Sequence, residues 1–155
     1  RTTKERENMG NIKVYLDNCC YNRPYDDQSQ IKISLETQAK LYVQHLIVEK
    51  KLDLVYSYIS RYENSQNPFE IRRSAIKDFF KNATIYVDET YSNQAIIKAK
   101  NIMNTGVKTK DALHVACAII GGAEYFLSTD IRLLKYNTNE IKLVNPIEFV
   151  SNLEV

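Results

Sequence analysis

The segment that decides the fold class reads Thr109-Lys110-Asp111-Ala112-Leu113-His114-Val115-Ala116-Cys117-Ala118-Ile119-Ile120, then Gly121-Gly122, then Ala123-Glu124-Tyr125-Phe126-Leu127-Ser128-Thr129-Asp130. Its first part is apolar or small nearly all round. A surface helix keeps a polar face, so this pattern predicts a buried helix packed closely on a sheet. Gly121-Gly122 ends it. Tyr125–Leu127 is then a short buried strand that stops at Ser128-Thr129-Asp130.

The same alternation extends in both directions. Ile12, Val14, Tyr15 and Leu16 form an apolar run closed by Asp17, which reads as a buried strand. From Ile31 to about Lys50, Ile31, Leu35, Ala39, Tyr42 and Leu46 recur at steps of four and three, the inward face of a helix. Leu52–Tyr56 is a second strand, and a helix follows from about Ser57. Asn67 is placed to cap the next helix, with Pro68 in its first turn. That helix turns Phe69, the Arg72 stem, Ala75, Ile76, Phe79 and Phe80 inward. Thr84–Val87 is a third strand. Tyr91–Met103 is a helix with Ala95, Ile96, Ala99 and Ile102 inward and Gly106 near its end. Beyond Asp130, Ile131–Lys135 is a short helix, Ile141–Val144 a fifth strand, and Asn145-Pro146 opens a terminal helix. Strands alternating with helices predict one α/β domain, a mainly parallel five-stranded sheet flanked by helices.

With 155 residues, 44% hydrophobic and 26% charged, the chain suits a single soluble domain over residues 9–155. Residues 1–8 are polar and read as an expression remnant or disordered tail before a native start at Met9. No apolar run approaches the ~20 residues of a membrane span, so a cytoplasmic protein is expected. Three cysteines, two of them adjacent, make no disulfide framework, and no Cys/His spacing suits structural zinc. The net charge of +2 does not by itself announce a nucleic-acid binder.

The acids carry more information. Asp17 follows the first strand and Asp130 the fourth, so both stand at the carboxyl edge, where open α/β sheets bind ligands. Asp111 lies in the first turn of the buried helix, and Glu63 about two turns into the helix after the second strand. Each has a bland account. Asp111 suits a helix dipole, Asp130 could cap the helix at Ile131, and Glu63 could be a surface acid. Asp17 resists such an account best. Together, carboxylates at one edge cannot all ionise without a counter-charge. A hard, oxygen-seeking cation such as Mg2+ or Mn2+ would remove the conflict and suit phosphate chemistry.

Lys110–Ala116 followed by Tyr125–Asp130 resembles the C-terminal half of PIN-domain ribonucleases. Val14–Asp17 resembles their opening strand, and Tyr58–Glu63 the segment carrying their helical glutamate. The resemblance spans Ile12 to Val150. It implies a PIN-like three-layer fold and catalytic, metal-binding roles for Asp17, Glu63, Asp111 and Asp130, with Ser128 supporting them. It also implies Mg2+- or Mn2+-dependent cleavage of RNA. Many members are toxins of toxin–antitoxin pairs and many form homodimers, so an antitoxin and a second copy are expected partners. Relatives often carry an Asn where this chain has Cys19; Asn18 could substitute. The loop Tyr21–Asp27 is longer than in a minimal toxin and resembles an uncharacterised PIN subgroup. In it Arg23 could touch substrate and Asp27 could help the metal, although an ordinary turn explains both.

Glu36 competes with Glu63 for the fourth acid. His114, three residues after Asp111, reads as a packed helix histidine rather than a general base. A phosphatase of the haloacid-dehalogenase type would need a second Asp where Cys19 stands. A PIN-like binding or scaffold module with little or no catalysis is the non-enzyme alternative.

Overall fold

The structure is a computed structural model that describes residues 10–153; the expected tail at 1–8 and the start at Met9 lie outside them. Five parallel strands form one sheet in the order β3-β2-β1-β4-β5. They are β1 (Lys13–Leu16), β2 (Asp53–Ser57), β3 (Ile85–Val87), β4 (Tyr125–Leu127) and β5 (Lys142–Val144). The chain builds outward from β1 to β3, then crosses back to lay β4 on the other side of β1. Strand order therefore reverses between β1 and β4, where Val14, Tyr15 and Leu16 register with Tyr125, Phe126 and Leu127.

Helices cover both faces, as the alternating pattern predicts. They are α1 (Asn18–Asn22), α2 (Ile31–Val48), α3 (Tyr58–Ser65), α4 (Glu70–Phe79), α5 (Ser92–Met103), α6 (Thr109–Ile120), α7 (Ile131–Leu134) and α8 (Pro146–Ser151). The two-residue period of the strands divides the core. Val14, Leu16 and Leu54 pack on one side with Val43, Ile76 and Phe149. Tyr15, Val55 and Phe126 pack on the other with Ala95, Ala99 and Val115. The buried helix α6 sits so close to the sheet that a Cβ on Gly121 would lie 2.5 Å from Val55 Cγ1 and 2.9 Å from Val87 Cγ2.

Several local expectations are corrected. The inward row of α2 is Glu36, Ala39, Lys40, Val43, Leu46 and Ile47, whereas Ile31, Leu35 and Tyr42 face outward. Ile96 is likewise exposed on α5, and Phe69 and Ala75 beside and on α4. Asn67 and Pro68 precede α4 rather than opening it. Asn67 Oδ1 accepts from the Phe69 N–H at 3.1 Å, and Arg73 donates to the Asn67 carbonyl at 2.7 Å. The stretch Asn18–Tyr25, read as loop from Tyr21, is a short helix and a 3-10 turn.

Candidate functional site

The crevice at the carboxyl ends of β1 and β4 is the switch point of the sheet, the place where such folds bind ligands. Asp17 leaves β1 there. Its backbone N–H still donates to the Leu127 carbonyl at 2.9 Å, and its extended conformation caps α1, with Oδ1 accepting from the Asn18 N–H at 2.9 Å. Oδ2 accepts from the Ser128 hydroxyl at 2.8 Å and from the Cys19 thiol at 3.3 Å. The carboxyl is 6% exposed. Burial pushes it up to about 8, with the neighbouring Cys19 adding to the rise and His114 and Ser128 opposing it.

Ser128 serves two acids, since its Oγ also accepts from the Asp130 N–H at 3.1 Å. Asp130 caps α7, with Oδ1 accepting from the N–H groups of Arg132 at 2.9 Å and Leu133 at 3.3 Å. The bland account of Asp130 is therefore realised, and it leaves the exposed residue at the crevice. Helix α6 runs back toward the start of β4, so its first turn brings Asp111 to the same edge. Partial burial raises the Asp111 carboxyl, and the charges of Asp130 and Glu63 raise it further, while His114 and Lys108 oppose the shift.

Behind the acids runs a buried chain of polar groups. His114, 1% exposed, pairs through Nε2 with Glu63 Oε1. Its Nδ1 meets the Tyr15 hydroxyl at 2.6 Å, which in turn meets Ser57 Oγ at 2.7 Å and Ser60 Oγ at 3.0 Å. A carboxylate can only accept, so Nε2 is the donor of that pair. The capping box that starts α3 uses the same two serines. The helix that carries Glu63 is thereby tied to the strand that carries Asp17.

No protein-family model matches the sequence, and no curated protein matches it. Among solved structures, the crystal structure of VapBC2 from Rickettsia felis bound to a DNA fragment from their promoter does match. It has 16% identity and a TM-score of 0.53 over 86% of this chain and 98% of that one. The chain has a PIN-like fold.

Within the PIN-like fold, the expected residues separate into two groups. Asp17, Ser128 and Asp130 are joined by hydrogen bonds, and Asp111 lies in the field of Asp130 and Glu63. Glu36 is elsewhere, 1% exposed. It forms an ion pair with Arg23 Nε at 3.2 Å and accepts from Asn145 Nδ2 at 2.5 Å. Arg23, which also pairs with Asp26 at 2.9 Å, is thus held between two carboxylates. Asp27 is exposed and accepts from the Ser29 N–H and hydroxyl. Asn18 contributes its backbone N–H to Asp17, whereas the position next to it is the one that touches the acid through its side chain. Cys19 Sγ lies 3.3 Å from Asp17 Oδ2, 3.5 Å from Ser128 Oγ and 3.4 Å from the Thr129 nitrogen.

The donor set suits Mg2+ or Mn2+ in chemistry, because it is all carboxylate. Among the described residues, however, no three His, Cys, Asp or Glu side chains stand close enough to form a ready-made cage. The set fits a hard ion that keeps several waters better than one fully enclosed by protein. No motif in the sequence marks Tyr15 or the pairing of His114 with Glu63. A hydroxyl inside an apolar strand must find a partner, and that was the available signal.

Proposed function

We propose that this chain is a metal-dependent nuclease that hydrolyses phosphodiester bonds in RNA. One observation carries the reading: the acids meet at the switch point, where burial and then the charges of Asp130 and Glu63 raise Asp111 and burial raises Asp17 to about 8. Ionising them together is unfavourable until a cation is present. Asp17, Glu63, Asp111 and Asp130 would hold Mg2+ or Mn2+, which when bound supplies the Lewis acidity that lets water attack phosphorus near neutral pH.

The chain's own residues have separate parts. Ser128 fixes Asp17 by donating to it and fixes Asp130 by accepting its N–H. Asn18 supports Asp17 through its backbone. His114, held by Tyr15, holds the Glu63 carboxylate through Nε2. The likeness to VapBC2 supports an antitoxin partner as part of the same proposal; the homodimer and the cytoplasmic location in it rest on the sequence reading. No described helix is long and apolar enough to cross a membrane.

The absence of three converging ligands among the described residues favours a second reading, a PIN-like binding or scaffold module with little or no catalysis. Purified protein with Mn2+ is expected to cut RNA, and Asp17→Asn or Asp111→Asn to abolish cutting while the fold is retained. Cutting that survives both substitutions sinks the assignment. Calorimetry that detects neither Mg2+ nor Mn2+ binding favours the scaffold.

A further inference from the structure

A small pocket of about 110 Å³ opens between α1, α2 and α4, with none of the four acids on its walls. Tyr21 comes to it from α1, Lys40 and Gln44 from successive turns of α2, and Ile76 and Phe79 from α4. Lys40 is 5% exposed. No carboxylate lies within ion-pair distance of its ammonium among the described residues. The group stands instead over the Tyr21 ring, 5.9 Å from its centre. Glu36, one turn earlier on the same helix, is turned to Arg23 and Asn145. The Tyr21 hydroxyl and Gln44 Oε1 are both closed off from solvent, and neither has a hydrogen-bond partner among the described residues.

Burying a cation without a counter-charge is costly, and native interiors rarely leave polar groups unpaired. Three such groups on one pocket define what satisfies them: negative charge for Lys40, an acceptor for the Tyr21 O–H, and a donor for Gln44 Oε1. Burial pulls Lys40 down to about 8, with the Cys20 thiol opposing, so the amine stays mostly protonated at neutral pH and needs an anion rather than a neutral partner. The pocket has room for roughly three or four waters, which is too little for a nucleotide.

We propose that this pocket binds a small oxyacid monoanion that keeps one O–H, of the size of hydrogencarbonate. Its oxygens accept from Lys40 Nζ and from the Tyr21 hydroxyl, and its O–H donates to Gln44 Oε1. The ion thereby joins α2 to α1, the helix that Asp17 caps. The inference stands apart from the nuclease reading and does not depend on it.

The test melts the full chain near neutral pH, at constant pH and ionic strength, with sodium hydrogencarbonate, sodium nitrate or sodium chloride as the baseline. Nitrate has the same planar three-oxygen shape but no O–H. Hydrogencarbonate is expected to raise the Tm in a dose-dependent way, with an affinity roughly fivefold or more above that of nitrate, the worth of one hydrogen bond. Lys40→Met, similar in volume and uncharged, should lose the response, and Tyr21→Phe should weaken it roughly fivefold or more. In the parent, hydrogencarbonate should slow acylation of Lys40 by acetic anhydride, read by peptide mass spectrometry, and leave the exposed Lys32 on the same helix unaffected. This second readout needs no variant to fold.

An equal response in parent and Lys40→Met overturns the inference, as does equal affinity for hydrogencarbonate and nitrate. No response to either ion also overturns it and leaves ordered water as what satisfies the three groups. A carbamate on Lys40, trapped as its methyl ester with trimethyloxonium, overturns the bound ion in favour of covalently held carbon dioxide.

Discussion

Replacing Asp17 by Asn should stabilise the metal-free protein, and by an amount that grows with pH. The carboxyl is 6% exposed and held at about 8, against 3.8 for an unhindered aspartate. Between those values the folded state binds a proton that the unfolded state has released, so stability falls as pH rises through this window and levels off above about 8. It is fully present only below the unfolded value. Each pH unit is worth roughly 1.4 kcal/mol, and the gap of about four units sets an upper bound of roughly 5–6 kcal/mol. Local relaxation will reduce this, and a gain of about 2 kcal/mol at pH 8 is the expected order, or roughly 4–8 °C for a domain of this size. Asn preserves the acceptor for the Asn18 N–H, and its amide can donate toward Ser128 Oγ and Cys19 Sγ, which removes the charge and keeps the contacts. Calorimetric melts of parent and variant in EDTA from pH 5 to 8.5 provide the measurement; taking the difference cancels the other acids. A gap in Tm that stays flat over this range, or a variant less stable at pH 8, refutes the reasoning.

Three further substitutions probe the surroundings. His114→Asn should leave Glu63 without its partner and lower activity or Mn2+ affinity roughly 10- to 100-fold; in a double-mutant cycle with Glu63→Ala the losses should not add, and additive losses would refute the pairing. Arg23→Ala should destabilise the fold by roughly 3–5 kcal/mol, because it leaves the 1%-exposed Glu36 unneutralised. Mn2+ titration of that variant should match the parent, and a weakened affinity would place Arg23 at the site after all. Gly121→Ala drives a Cβ to 2.5 Å from Val55 Cγ1, so a loss of roughly 1–3 kcal/mol is expected in denaturant melts, and an unchanged midpoint would contradict the close packing of α6.

The parts of this fold that were legible in sequence are those where one physical effect dominates. Tyr125–Leu127 and Val14–Leu16 are short apolar runs closed by polar residues, and hydrophobic burial alone places them inside the sheet. Their carboxyl ends locate Asp17 and Asp130 without further information. The inward face of α2 was not legible because Glu36 and Lys40 lie on it. Periodicity counts apolar residues, whereas Glu36 is buried through partners at Arg23 and Asn145, one 13 residues before it and the other 109 residues after. Helix α1 spans five residues, too few for a period to show, and owes its start to Asp17 as a cap. Tyr15 and His114 are separated by 99 residues, so their hydrogen bond exists only once β1 and α6 are packed.

The same contrast explains how the acids come to coexist. Nothing within any one segment requires them to meet: Asp130 is satisfied as a cap, and Asp111 suits the first turn of its helix. Their conflict arises only when the crossing from β3 to β4 lays the end of β4 beside that of β1 and returns α6 to the same edge. Burial then raises Asp17, and burial with the neighbouring charges of Asp130 and Glu63 raises Asp111. Lys108 and His114 oppose the rise of Asp111 without cancelling it. Arg23 is turned to Glu36, and Lys108, Arg132 and Lys135 stay without an ion pair among the described residues, along the cleft that Asp111 and Asp130 line. A fold optimised for stability alone would join those cations to those acids. On the proposed nuclease reading, keeping them apart leaves one surface for a cation and another for an anion, the division that binding a metal and a phosphodiester side by side requires.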